Sequence, residues 1–90
     1  MKNLNTDREG AMMERKTYSF NYEGQIFTRK GDVGRYSHAS IVHLRTPDGM
    51  EQHLTTFSIR YAGAHQAMVK LQNEYRGYGC EIIHTEVFEL

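Results

Sequence analysis

The segment Thr46-Pro-Asp-Gly49 constrains this chain more than any other feature, because it sets a turn between two runs of strand-forming residues. Proline suits the first central position and aspartate the second, and glycine supplies the left-handed residue that closes a three-residue hairpin loop. Such a loop pairs Thr46 with Met50, and the register of the flanking strands follows from it. Arg45 then faces Glu51 as an opposite-charge pair, and Val42 faces Leu54 as an apolar pair. Ala39 faces Phe57 on the other side of the sheet. A slip of one residue would turn every side chain to the wrong face, so the agreement of these pairs supports the register.

The remaining chain divides around this hairpin. Residues 1–15 are polar and without periodicity, which predicts a flexible tail. The Met12-Met13 pair offers a second place at which translation could begin. From Lys16 the pattern has period two: Tyr18, Phe20 and Tyr22 alternate with polar residues, as in a half-buried strand. Glu23-Gly24 reads as a tight turn, Gln25 to Lys30 as a returning strand, and Gly31 to Gly34 as a loop.

After the central hairpin, Tyr61, Ala64, Met68, Leu71 and Tyr75 recur at spacings of three and four, one apolar stripe of a helix. Ser58 is the expected N-cap and Gly77 the expected residue just past the helix end, with Gly79 opening the turn beyond. Gln66, Lys70, Asn73 and Arg76 form the solvated face. Gly63, within the first turns, weakens the helix by about 1 kcal/mol relative to alanine. A last strand, Cys80 to Leu90, is apolar on both faces and belongs inside the sheet or against a second copy of the chain. The expected fold is a single α+β domain over residues 16–90, in the order β-β-β-β-α-β. It comprises an antiparallel sheet of four to five strands with one helix packed on one face.

Composition bounds the function. Ninety residues suffice for one domain with a thin core. Eleven basic and eleven acidic side chains cancel, which lowers the expectation of a dedicated nucleic-acid binder and excludes a strongly acidic nucleic-acid mimic. One cysteine, Cys80, cannot form an internal disulfide and suits a reducing compartment. With no long apolar run, no membrane contact is expected and the cytoplasm is the expected location.

No catalytic constellation is apparent, and the reading is of a protein that is not an enzyme and carries no cofactor. His43 and His53 oppose each other in the hairpin register and could chelate a metal, but a pair of surface histidines is the simpler account, so no metal ligand is assigned. Cys80 begins a strand, where nothing lowers its pKa, and reads as a structural thiol. Gly31 to Gly34 leads into a strand and lacks the helix N-terminus of a phosphate loop. Arg29, Lys30, Arg35 and Tyr36 cluster about that loop, a combination able to hold phosphates and stack bases. One helix cannot cover both faces of a five-stranded sheet, so an aromatic surface carrying Tyr18, Phe20 and Tyr22 is expected to remain free for a partner or for self-association.

Thr28-Arg29-Lys30 followed by Arg35-Tyr36-Ser37-His38-Ala39 resembles a pattern in small proteins of bacteriophages and prophages. In these proteins a Thr-Arg pair ends one strand and an Arg-Tyr-(Ser/Thr)-His-Ala run opens the next. The likeness spans residues 16–87 and implies an origin in a mobile element, without a common activity. The expectation is an accessory protein that acts by non-catalytic binding to a host or phage protein, through Tyr18, Phe20, Tyr22 and Tyr36, as an inhibitor or modulator. The alternative is a nucleic-acid-binding accessory protein using Arg29, Lys30, Arg35 and Tyr36. A homodimer is compatible with either.

Overall fold

The computed structural model describes residues 14–90. The tail and second start expected at the N-terminus lie outside them, save for its last two positions. Five strands and one helix follow in the order β1 (Arg15–Tyr22), β2 (Gln25–Asp32), β3 (His38–Arg45), β4 (Glu51–Ser58), α1 (Tyr61–Gly77) and β5 (Glu81–Glu89). Among the described residues the fold is α+β, with antiparallel strands and one helix, as the sequence reading expects.

The central hairpin forms in the expected register, with Arg45 opposite Glu51, Val42 opposite Leu54 and Ala39 opposite Phe57. Thr46 donates its backbone N–H to the Met50 carbonyl at 2.7 Å, and Gly49 takes the left-handed conformation at φ +90°. The first hairpin turns on Glu23 and Gly24, both at positive φ, the pattern of a two-residue turn whose twist matches that of the strands.

The strands do not join into one sheet, which corrects the expected architecture. β4, β3 and β5 form a three-stranded antiparallel sheet with β3 at its centre, while β1 and β2 form a separate two-stranded sheet. β3 takes the central place, where its residues Ala39 to Leu44 are all buried. The β1–β2 hairpin folds over one face, where Tyr18, Phe20 and Tyr22 pack with Ala39, Ile41 and Phe57. The helix covers the other face, where Met68 packs with Val42 and Leu44. Three layers result, and both faces of the central strand are covered.

Phe20 joins the layers: its ring lies 5.3 Å from Phe27, 5.6 Å from Phe57 and 4.6 Å from Phe88. Tyr18 ties down the connection that folds the hairpin back. Its hydroxyl donates to the Asp32 carbonyl at 2.6 Å and accepts from the Arg35 backbone N–H at 3.0 Å. The aromatic residues that the sequence reading left free are therefore covered. Tyr18, Phe20 and Tyr22 are 3%, 7% and 8% exposed and belong to the core, not to a contact surface.

Two helix boundaries also differ. Arg60, in extended conformation, occupies the N-cap position with no side-chain capping bond, in place of Ser58. A Cβ on Gly63 would collide with the Ser58 side chain, so this glycine permits close approach of the helix start to β4. At the other end Gly77 is still helical and Gly79 is the left-handed residue, at φ +87°. Gly79 N–H bonds the Arg76 carbonyl and Cys80 N–H the Tyr75 carbonyl, the paired bonds of a Schellman closure. Of the apolar stripe, Ala64 and Met68 are buried and Leu71 and Tyr75 half-buried, whereas Tyr61 is exposed. No helix among the described residues is long and apolar enough to cross a membrane.

Candidate functional site: an arginine–aromatic groove

The hairpin and the three-stranded sheet meet along an interface with two differently charged ends. At the open end of the hairpin lies a groove of about 350 Å³ lined by Arg35, Tyr36, Phe57, Ser58 and Ile59. One wall is the connection between β2 and β3, which is docked on the end of β4. Ser37 N–H bonds the Ser58 carbonyl at 2.9 Å, and the Ser37 hydroxyl donates to the Ile59 carbonyl at 2.7 Å. These bonds hold Tyr36 beside Phe57, with ring centroids 5.8 Å apart, and Tyr18 supports Tyr36 edge-on at 5.1 Å. Gly31 completes the fit, since a Cβ there would lie 2.7 Å from the Tyr36 ring.

Two guanidinium groups border this aromatic floor. Arg29 stands 5.6 Å from the centre of the Phe57 ring and Arg35 5.7 Å from that of Tyr36, within cation–π range. Hydrogen bonding from Arg35 first and Arg29 second favours the phenolate of Tyr36 and lowers its pKa below the ordinary 10.0. Arg29, Lys30, Arg35 and Arg60 form no ion pair with a carboxylate among the described residues.

The structure thus brings together three of the four residues proposed for nucleic-acid contact, Arg29, Arg35 and Tyr36. Lys30 stands apart: it pairs with Thr17 and lies on the outer face of β2, as alternation along a strand requires. Phe57 and Ile59 were missed, because their sequence signal is only that of strand residues. Their place in the groove depends on how the hairpin layer lands on β4. Cys80 is half-buried beside the helix end and takes no part.

Acidic groups gather at the opposite end, around the turn of the first hairpin. Tyr22 lies beneath this turn with its hydroxyl 2.9 Å from His43 Nδ1. Burial, with Glu23, Glu86 and Glu51 nearby, raises its pKa above 10.0, so the hydroxyl remains protonated. His43 Nε2 lies 2.7 Å from Glu51 Oε1, and Arg45 bridges Glu51 and Glu81. His43 and His53 face each other as the register requires, with rings 4.4 Å apart. Hydrogen bonding from His43 first and Arg45 second lowers the Glu51 pKa from 4.5. His43 is buried, and not the surface residue expected from the sequence.

In comparisons with known proteins, no family model, curated protein or solved structure matches the chain.

Proposed function

We propose that this protein is a non-catalytic binding protein whose receiving site is the arginine–aromatic groove, and that its ligand is single-stranded nucleic acid. The observation that carries this reading is the convergence of two arginines, unpaired among the described residues, on the half-buried Tyr36 and the buried Phe57 behind it. The accessible part of Tyr36 can stack on a base, and guanidinium groups beside it can take the flanking phosphates. The zero net charge of the chain does not oppose this, because a local field can differ from the sum: Arg29 and Arg35 border the groove without a carboxylate partner among the described residues, while Glu23, Glu51, Glu81 and Glu86 gather at the other end.

The test is fluorescence anisotropy of a labelled single-stranded oligonucleotide across a salt series. Binding should weaken linearly with the logarithm of salt concentration, and Arg35→Ala should reduce that slope by about 0.7, the contribution of one phosphate contact on a single strand. Salt-independent binding, or a slope unchanged by both Arg29→Ala and Arg35→Ala, would sink the reading.

A protein partner is the second reading. It is favoured by Ile59 and Tyr61, which are 62% and 54% exposed and follow directly on the groove wall. A partner captured from extract that survives nuclease treatment, yet is lost with Arg35→Ala, would assign the groove to a protein ligand instead.

A further inference from the structure

Three histidines cross the three-stranded sheet in one row, because β3 pairs His43 with His53 of β4 on one side and His84 of β5 on the other. Tyr22 roofs the row, its ring centre 5.6 Å from His43, 5.7 Å from His53 and 5.5 Å from His84. His43 is the fixed point, with a side chain only 6% exposed. Its Nε2 faces the ionised Glu51 carboxylate, so the hydrogen-bond network assigns the proton to Nε2 and leaves on Nδ1 a lone pair that accepts from the Tyr22 hydroxyl at 2.9 Å. Nδ1 in turn lies 3.9 Å from the Glu23 carboxylate. One donor atom each from Glu23, His43 and His53 lie within 4.8 Å of one another. His84 stands aside from this group, its Nε2 engaged by Glu86 at 3.0 Å.

We propose that Glu23, His43 and His53 form a binding site for a divalent transition metal of the zinc class, with Glu51 as a positioning residue. Two imidazole nitrogens and one carboxylate oxygen are a borderline donor set suited to Zn²⁺ or Co²⁺ and too nitrogen-rich for Mg²⁺ or Ca²⁺. Metal–ligand bonds of about 2.0–2.2 Å in a tetrahedral site place donor atoms about 3.3–3.5 Å apart. To close on a metal, Glu23, 63% exposed at a turn tip, must move inward, the half-buried His53 must turn out of its stack on His43, and the Tyr22 hydroxyl must give up Nδ1. Three protein ligands leave the fourth position to water.

What separates this cluster from a chance grouping of polar residues is the support behind it. A metal-ligating histidine characteristically gives its other N–H to a carboxylate that is itself held in place. Here His43 gives Nε2–H to Glu51, Glu51 Oε2 accepts from Arg45 at 3.2 Å, and Arg45 donates to Glu81 at 2.9 Å. The chain of contacts runs across all three strands of the sheet and fixes the His43 ring with Nδ1 turned toward Tyr22 and Glu23. The site lies on the hairpin-turn side of the interface, four residues along β4 from Phe57, or about 13 Å. It stands independently of the groove.

The full chain, stripped with chelator and dialysed, would be titrated with Zn²⁺ by calorimetry and with Co²⁺ by visible absorption. The expected result is one equivalent of metal per chain, with tetrahedral Co²⁺ bands. His53→Ala and Glu23→Gln should each weaken binding at least tenfold, Glu51→Gln should weaken it 10–100-fold, and His65→Ala should leave it unchanged. Because these variants could perturb folding, the wild-type imidazole signals would also be followed by NMR. Zn²⁺ should shift those of His43 and His53 and leave those of His38 and His65 in place. Failure of the wild type to take up stoichiometric metal, or shifts confined to His38 and His65, would overturn the proposal.

Discussion

Tyr36 shows how much a single residue's behaviour depends on its neighbours. In sequence it is one tyrosine among six. In the structure it stands against Tyr18 and Phe57 with two guanidinium groups beside its hydroxyl, which favour its ionised form. Ultraviolet titration of the phenols should accordingly show a first ionisation below the ordinary pKa of 10.0, and Tyr36→Phe should abolish that step while leaving the later ones. The sign for binding follows from charge. As pH rises through this lowered pKa the phenolate neutralises part of the field of Arg29 and Arg35, so oligonucleotide affinity should fall in the same interval. The sign for folding is opposite. A group whose folded pKa is depressed contributes stability above its unfolded pKa, and that contribution is lost as pH falls through the folded value. Oligonucleotide affinity unchanged across the first phenol ionisation would separate Tyr36 from the binding site.

At the scale of elements, the helix end is decided by two glycines that look alike in sequence. Gly77 is the last helical residue and a Cβ there meets nothing within 4 Å, whereas Gly79 carries the positive φ of the closing turn and faces Pro47. The two should respond oppositely to alanine in urea denaturation. Gly77→Ala should stabilise by about 0.4–1 kcal/mol through reduced unfolded-state entropy, and Gly79→Ala should destabilise by about 1–2 kcal/mol through left-handed strain. Equal effects would mean that the helix ends before Gly77 and that this glycine lies just past its end, as the sequence pattern suggested. That reading failed because a helix continues for as long as its side chains pack. Tyr75 and Cys80, which flank the turn, join the same apolar cluster beside Met68.

For the whole molecule, the decisive event is the folding of one hairpin onto the sheet. Phe20 is its anchor, with three aromatic neighbours drawn from three other strands. Phe20→Ala should cost about 3–5 kcal/mol, the range for removing a buried aromatic ring. Hydrogen exchange should show where that loss falls: amides of β1 and β2 should exchange faster, while those of β3, paired on both sides, remain the slowest. Oligonucleotide binding should weaken in the same variant, since Arg29 reaches Phe57 only from the docked hairpin. If β1 and β3 lost protection equally, the layers would be one cooperative unit and the hairpin no separate part of it.

Local chemistry carried much of this in the sequence. Turn residues and cross-strand pairing determined the Thr46–Met50 hairpin and its register, down to the opposition of His43 and His53, because those contacts are set by residues close along the chain. Helix periodicity located α1 and its solvated face in the same way. The partition of five strands into two layers was not legible, since alternation tells which residues share a face and not what covers that face. Tyr18, Phe20 and Tyr22 have the same pattern whether they meet a partner or the chain's own sheet. Only the tertiary structure decided that they are core. The same docking placed Phe57 beneath Arg29 and Glu23 beside His43, because contacts between layers depend on the path of the whole chain, which no short segment encodes.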